Sequence, residues 1–114
     1  MDLEFDLDAI VEVFGEPLES RSYPDRGDYW FEYRRPDGVA VRLVLGAFDR
    51  AVIVGVDYGT AASTSVRLEQ CDRVRVLEVE KRTLEVTSAA LAVRCFLSLE
   101  GRSVLTLEAP AAIN

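Results

Sequence analysis

The feature that most constrains this chain is a change of period near Pro17. Beyond it, apolar and polar residues alternate with a period of two through eight consecutive runs. These are DYWFEYRR (28–35), VAVRLVLGAF (39–48), AVIVGVDY (51–58), TSVRLEQ (64–70), RVRVLEVE (73–80), TLEVTS (83–88), LAVRCFLSLE (91–100) and SVLTLEA (103–109). Most of the connections are two to four residues long. A parallel crossover needs a dozen or more, so the sheet is expected to be antiparallel and mostly sequential. The Pro36-Asp37-Gly38 connection has a turn mechanism: proline presets φ, and glycine accepts a positive φ.

Only one segment has helical spacing. Leu7, Ile10, Val11 and Phe14 fall on one face of a two-turn helix. Asp6 can cap its start, Gly15 can take the left-handed conformation that stops it, and Pro17 prevents resumption. The expected fold is α+β: one short N-terminal helix packed on a large, curled, mostly sequential antiparallel sheet of about eight strands. So many strands must curl, split into two layers or close into a barrel. The run 39–58 is apolar on both faces and predicts central strands covered on both sides. Runs 64–88 alternate apolar with charged, so one face there meets water. Val76-Leu77 breaks the alternation, and a bulge would repair it. With 114 residues and no linker or repeat, residues 1–114 are expected to form a single domain.

Charge is distributed unevenly. Residues 1–19 hold Asp2, Glu4, Asp6, Asp8, Glu12, Glu16 and Glu19 and no base, while the other 13 acids and 13 bases cancel. The whole net charge of −7 therefore resides in the first sixth of the chain. Such a field repels phosphate backbones, which argues against a nucleic-acid partner, and it speeds encounter with a basic protein. Asp8, Glu12 and Glu16 repeat at i, i+4, i+8 on the outer side of the helix. The competing reading is a solvated helix face that aids solubility.

The aromatic run 28–35 divides by parity. Tyr29, Phe31 and Tyr33 read as core; Trp30, Glu32 and Arg34 point the other way. Tryptophan and arginine anchor interfaces when exposed. The equally weighted alternative puts Trp30 under the helix against Phe14.

Catalytic chemistry finds little support. The chain has no histidine, which removes a serine–histidine or cysteine–histidine nucleophile and mixed-ligand zinc sites. Its single lysine, Lys81, follows no glycine loop. No acid pair is marked by spacing as a glycosidase couple. Cys71 and Cys95 are expected to be reduced and, for Cys95, buried. VIVGVDYGTAAS (52–63) resembles the first phosphate loop of actin-like sugar kinases and chaperone ATPases, and the first strand of resolvase-type nucleases. In those families the aspartate holds a metal and the Gly-Thr backbone wraps a phosphate. No helical pattern follows Gly59 here, so Asp57-Tyr58-Gly59 reads as a strand end, with Asp57 capping a turn. Glu69, Glu78, Glu80 and Glu85 fall where solvated sheet charge is expected. No enzyme activity, cofactor or metal is expected. The acidic N-terminus lacks the pattern of a secretory signal, and no run approaches the roughly 20 apolar residues of a membrane span; the expected location is cytoplasmic.

The order of a short acidic helix ending FGEP, an aromatic strand, a PDG turn and a run of hairpins resembles the small immunity proteins of bacterial toxin systems. The resemblance spans most of the chain in architecture and charge. It implies a protein that binds a cognate toxin in the cytosol, often a basic nuclease, with Asp8, Glu12 and Glu16 imitating a nucleic-acid backbone. The partner-binding residues expected are then Asp8, Glu12, Glu16, Glu19, Trp30, Glu32 and Arg34. The runner-up reading is a secretion chaperone or a self-associating assembly subunit.

Overall fold

The structure is a computed structural model that describes residues 2–59 and 62–108. Among them the order is β1 (Glu4–Phe5), α1 (Leu7–Phe14), a 3-10 turn (Pro24–Arg26), β2 (Asp28–Arg34), β3 (Ala40–Gly46), β4 (Ala51–Asp57), β5 (Ser63–Leu68), β6 (Arg73–Glu78), β7 (Thr83–Ser88), β8 (Val93–Ser98) and β9 (Leu105–Glu108). The strands form two sheets. One is four-stranded in the order β2-β3-β4-β5, and the other is five-stranded in the order β1-β6-β7-β8-β9. Neither closes into a barrel; of the arrangements expected from sequence, the two-layered one is present. The chain changes sheet between Leu68 and Arg73, where Cys71 is buried.

Every pairing from β2 onward is antiparallel between sequence neighbours. The exception is β1, which pairs parallel with β6 through Glu4–Arg73 and Phe5–Val74. Two residues are too few to carry a periodic signal, and this strand is absent from the sequence reading. The pairing of β6 with β7 shifts register between Val76 and Glu78, where the broken alternation called for a bulge.

The inner faces of both sheets share one apolar core. Phe31, Val41, Leu43, Leu45, Val52, Val54 and Val56 come from the first sheet; Val74, Leu84, Val86, Cys95 and Leu97 come from the second. Ile10, Val13 and Phe14 enter the same core from α1, and Phe14 meets Phe31 with ring centroids 5.7 Å apart. Phe14 therefore packs on Phe31 and not on Trp30, which lies on the opposite face of β2. The prediction that 39–58 is covered on both sides fails for the same reason. The outward residues of β3 and β4 have nothing over them: Arg42 is exposed, and Val44, Ile53 and Gly55 are only half-buried.

Glu85 is a second correction. The alternation places it among solvated sheet charges, yet it is 5% exposed. It sits on the outer face of β7, where Arg75 and Arg94 close over it at 3.2 and 3.5 Å. The long arginine stems bury the carboxylate and their heads neutralise it.

Candidate partner-binding surfaces

Helix α1 begins as its sequence dictates. The Asp6 carboxylate accepts from the Ala9 N–H at 3.2 Å, satisfying one orphan donor of the first turn. Gly15 stops the helix at φ 91°, with an extended ψ of −176° in place of the left-handed conformation expected. The last turn has no basic residue of its own. Its free carbonyls are met from the other sheet: the Arg82 guanidinium donates to the Val13 and Glu12 carbonyl oxygens. A cation there also suits the negative end of the helix dipole.

With Ile10, Val13 and Phe14 buried, Asp8 and Glu12 are left facing water, and Glu16 and Glu19 follow them on the surface. Asp2, Glu4 and Asp6 are exposed too. Of these seven acids only Glu4 has an ion-pair partner among the described residues, Arg73 at 3.7 Å. Because α1 ends at Phe14, Glu16 lies beyond the helix and the expected i, i+4, i+8 stripe is reduced to Asp8 and Glu12; among the described residues the seven acids are left almost wholly unneutralised.

The second surface is the outer face of the four-stranded sheet. Register places Trp30 beside Val44, Ile53 and Arg67 in one row across the strands. Glu32, Arg42, Gly55 and Ser65 make the next, and Arg34, Ala40, Asp57 and Ser63 the one after. Glu32 joins its neighbours by accepting from Arg42 at 3.0 Å and Arg34 at 3.2 Å. The Arg42 hydrogen bond above all, with help from the Arg34 charge, holds its carboxyl below the usual range despite partial burial. A groove runs beside the tryptophan, lined by Trp30, Arg42, Val44, Ile53, Gly55 and Ser65. Gly55 is not required by the backbone: a Cβ there would meet only Arg42 Cβ and Thr64 O, both at 3.9 Å. Its lack of a side chain keeps the groove floor low, a place where another molecule can approach closely.

Trp30, Glu32 and Arg34 are therefore together and outward, as their parity predicts. The helix acids are not on that face, since α1 packs against the inner side of β2. The connecting segment links the two. It follows the free edge of β2, where the Leu18 N–H donates to the Trp30 carbonyl at 2.7 Å and the Ser22 hydroxyl accepts from the Trp30 N–H at 3.0 Å. Arg21 then stacks 5.2 Å from the centre of the Trp30 ring. Glu16 and Glu19 belong to this segment, so the acidic run leads from the helix to the tryptophan face.

Sequence reasoning missed Arg42, Val44, Ile53, Gly55 and Arg21. Arg42 and Gly55 were the available signal, since a charge and a missing side chain interrupt the outward row of an otherwise apolar hairpin. It also missed a polar cluster at the end of the sandwich. There the Glu100 carboxylate accepts from the Tyr33 hydroxyl at 2.9 Å and from Arg82 at 3.2 Å. Burial and the Glu100 hydrogen bond push the Tyr33 hydroxyl above its usual range.

The Asp57 segment has no phosphate cradle among the described residues. Asp57 accepts from the Gly59 N–H at 3.0 Å, Gly59 bends the chain at φ 78°, and the chain returns antiparallel as β5. Thr60 lies outside the described residues. Cys71 and Cys95 are both buried free thiols, each pushed up to about 11 by burial. Among the described residues no group of three or more carboxylates or thiols is arranged to hold a metal, and no helix is long and apolar enough to cross a membrane. Compared with known proteins, the chain matches no family model, no curated protein and no solved structure.

Proposed function

We propose that this protein is a non-catalytic protein-binding module, an immunity protein that neutralises a basic toxin domain by docking to it through residues 2–19. One observation carries the reading. Asp8, Glu12, Glu16 and Glu19 stand exposed with no cationic partner among the described residues, although the chain holds 13 basic residues. Like charges at i, i+4 disfavour a helix by a few tenths of a kcal/mol per pair. Asp8 in the first turn suits the positive end of the helix dipole; Glu12, Glu16 and Glu19 gain when an outside cation arrives. Carboxylates spaced along a helix meet arginines and lysines of a nucleic-acid-binding groove as phosphates would, and they steer encounter from a distance. The Trp30 face at the end of the acidic run supplies the apolar anchor that charge alone lacks. No cofactor and no nucleic acid take part, and the setting is the cytoplasm.

The test is co-purification. The protein should come out with the product of the gene encoded beside its own, bind that protein's toxic domain at nanomolar Kd or below, and abolish its activity at equimolar ratio. A protein that instead bound extended client segments without inhibiting anything would be a secretion chaperone, and this reading would be wrong.

A further inference from the structure

Two of the four long sides of the two sheets are covered at least in part among the described residues; the free sides of β5 and β9 are not, and β5 is the longer of these two. The free edge of β2 is taken by Leu18 and Ser22. The edge of β6 is taken in part by β1, and the four residues of β9 pair only with β8. On β5 the pairing with β4 is regular through all six residues, Ser63 to Leu68. The Tyr58 N–H bonds to the Ala62 carbonyl, which fixes the phase of the ladder. In antiparallel pairing the bonded positions alternate, so Thr64, Val66 and Leu68 bond to β4. Ser63, Ser65 and Arg67 turn their N–H and C=O groups outward. The sequence STSVRL has few of the usual devices that blunt such an edge: no lysine, no proline, no bulge, and a single charge, Arg67.

We propose that β5 is the seam of a two-fold dimer in which it pairs antiparallel with β5 of a second copy, with Ser65 on the axis. This goes beyond the toxin-binding reading and does not depend on it. The chemistry of the strand selects a copy of itself. With Ser65 opposite Ser65, each Ser63 faces the second copy's Arg67, and each Thr64 faces the second copy's Val66. Every outward backbone group from 63 to 67 is then bonded, and no like charges are opposed. Centring the axis on Arg67 would place two guanidinium groups face to face, and centring it on Ser63 would leave Arg67 beyond the paired stretch. Charge complementarity supports the same register. Asp57 is the neighbour of Ser63 on the outer face of β4. Its carboxylate is bonded to the Gly59 N–H and has no ion pair among the described residues. The second copy's Arg67 lands on the other side of Ser63 in the same row, two strand spacings or roughly 9–10 Å from Asp57 between Cα atoms. An arginine side chain spans that gap. Its present partner, Glu69, is a weak tie, with both side chains more than half exposed. An isologous contact of this kind closes at two subunits and cannot grow into a fibre. The two sheets would become one of eight strands, with both Trp30 faces on the same side.

Sedimentation equilibrium on the full chain decides this. A mass of twice 12.7 kDa that falls toward the single-chain value on dilution is expected. Ser65→Pro removes the outward N–H on the axis and leaves the bonds to β4 intact, so it should give a monomer with an unchanged far-ultraviolet circular dichroism spectrum. Arg67→Asp replaces attraction to Asp57 by repulsion and should weaken dimerisation about tenfold. If Ser65→Pro fails to fold, the exposed Arg67→Asp change decides alone. A wild-type chain that stays monomeric, or a dimer indifferent to a folded Ser65→Pro or to Arg67→Asp, overturns the proposal.

Discussion

Arg82 stacks 4.8 Å from the centre of the Tyr33 ring, and so ties the turn after β6 in one sheet to β2, the edge strand of the other. The same guanidinium reaches Glu100 and the last carbonyls of α1. One side chain therefore joins both sheets and the helix. It does so from a backbone at φ 51°, a conformation non-glycine residues avoid.

Arg82→Ala should cost about 1–3 kcal/mol, from lost hydrogen bonds to charged groups and a lost cation–π contact. Arg82→Gly should cost less, because glycine relieves the positive φ while losing the same contacts. Urea denaturation of the two variants measures the difference. Hydrogen exchange should show the amides of α1 opening more readily in both, since the cap on its C-terminal carbonyls is gone.

The buried Glu85 gives a contrast. Glu85→Leu removes the buried charge and leaves two arginines that are already half in water. Removing Arg75 and Arg94 together leaves a carboxylate with no counter-charge. The double alanine variant should lose about 1–3 kcal/mol, and Glu85→Leu distinctly less. Comparing their thermal midpoints settles the order.

The two thiols should be inert. Cys71 and Cys95 are pushed from 9.0 to about 11 by burial, so native protein at pH 8 should react with a thiol reagent far more slowly than protein unfolded in urea. Linkage gives a second readout. A raised folded-state value favours folding fully below pH 9, and that contribution is lost as pH rises from 9 through about 11. The double Cys→Ala variant, whatever its cavity cost, should show a flatter decline in stability over that alkaline window.

Glu32 acts at the other end of the pH scale. Its folded-state value lies below the usual 4.5, chiefly through the Arg42 hydrogen bond. Its contribution is present above pH 4.5 and disappears as pH falls through the lower folded value. Asp37 is lowered in the same sense by the Val39 N–H. Glu32→Gln should therefore reduce the steepness of acid unfolding while changing stability at neutral pH only modestly. A variant curve parallel to the wild type down to pH 3 would count against this assignment.

What the sequence revealed follows from range. Helix α1, its Asp6 cap, the strand runs and the bulge near Val76 depend on neighbours a few residues apart, and period and turn chemistry report these directly. The parity of Trp30, Glu32 and Arg34 was legible for the same reason. What lay hidden depends on partners far along the chain. The parallel pairing of Glu4-Phe5 with β6, the split into two sheets after Leu68 and the capping of Val13 by Arg82 join segments whose separation no local pattern encodes. The uncovered side of β3 and β4 was misread because Val44 and Ile53 are as apolar as core residues. Only register across three strands places them with Trp30 on an open face. Glu85 was misread because its burial comes from side chains on two neighbouring strands, not from its own position in the alternation.

Whether the acids of residues 2–19 meet a cationic partner is tested most directly by stopped-flow association kinetics. The variant carrying Asp8→Asn, Glu12→Gln and Glu16→Gln is expected to stay folded with stability within about 1 kcal/mol of the wild type, because it relieves one like-charge pair in α1 and loses one favourable first-turn charge. It is also expected to associate with its co-purified partner roughly ten times more slowly at low salt, with a much flatter dependence on ionic strength. Equal association rates for the two proteins at every salt concentration would contradict the claim.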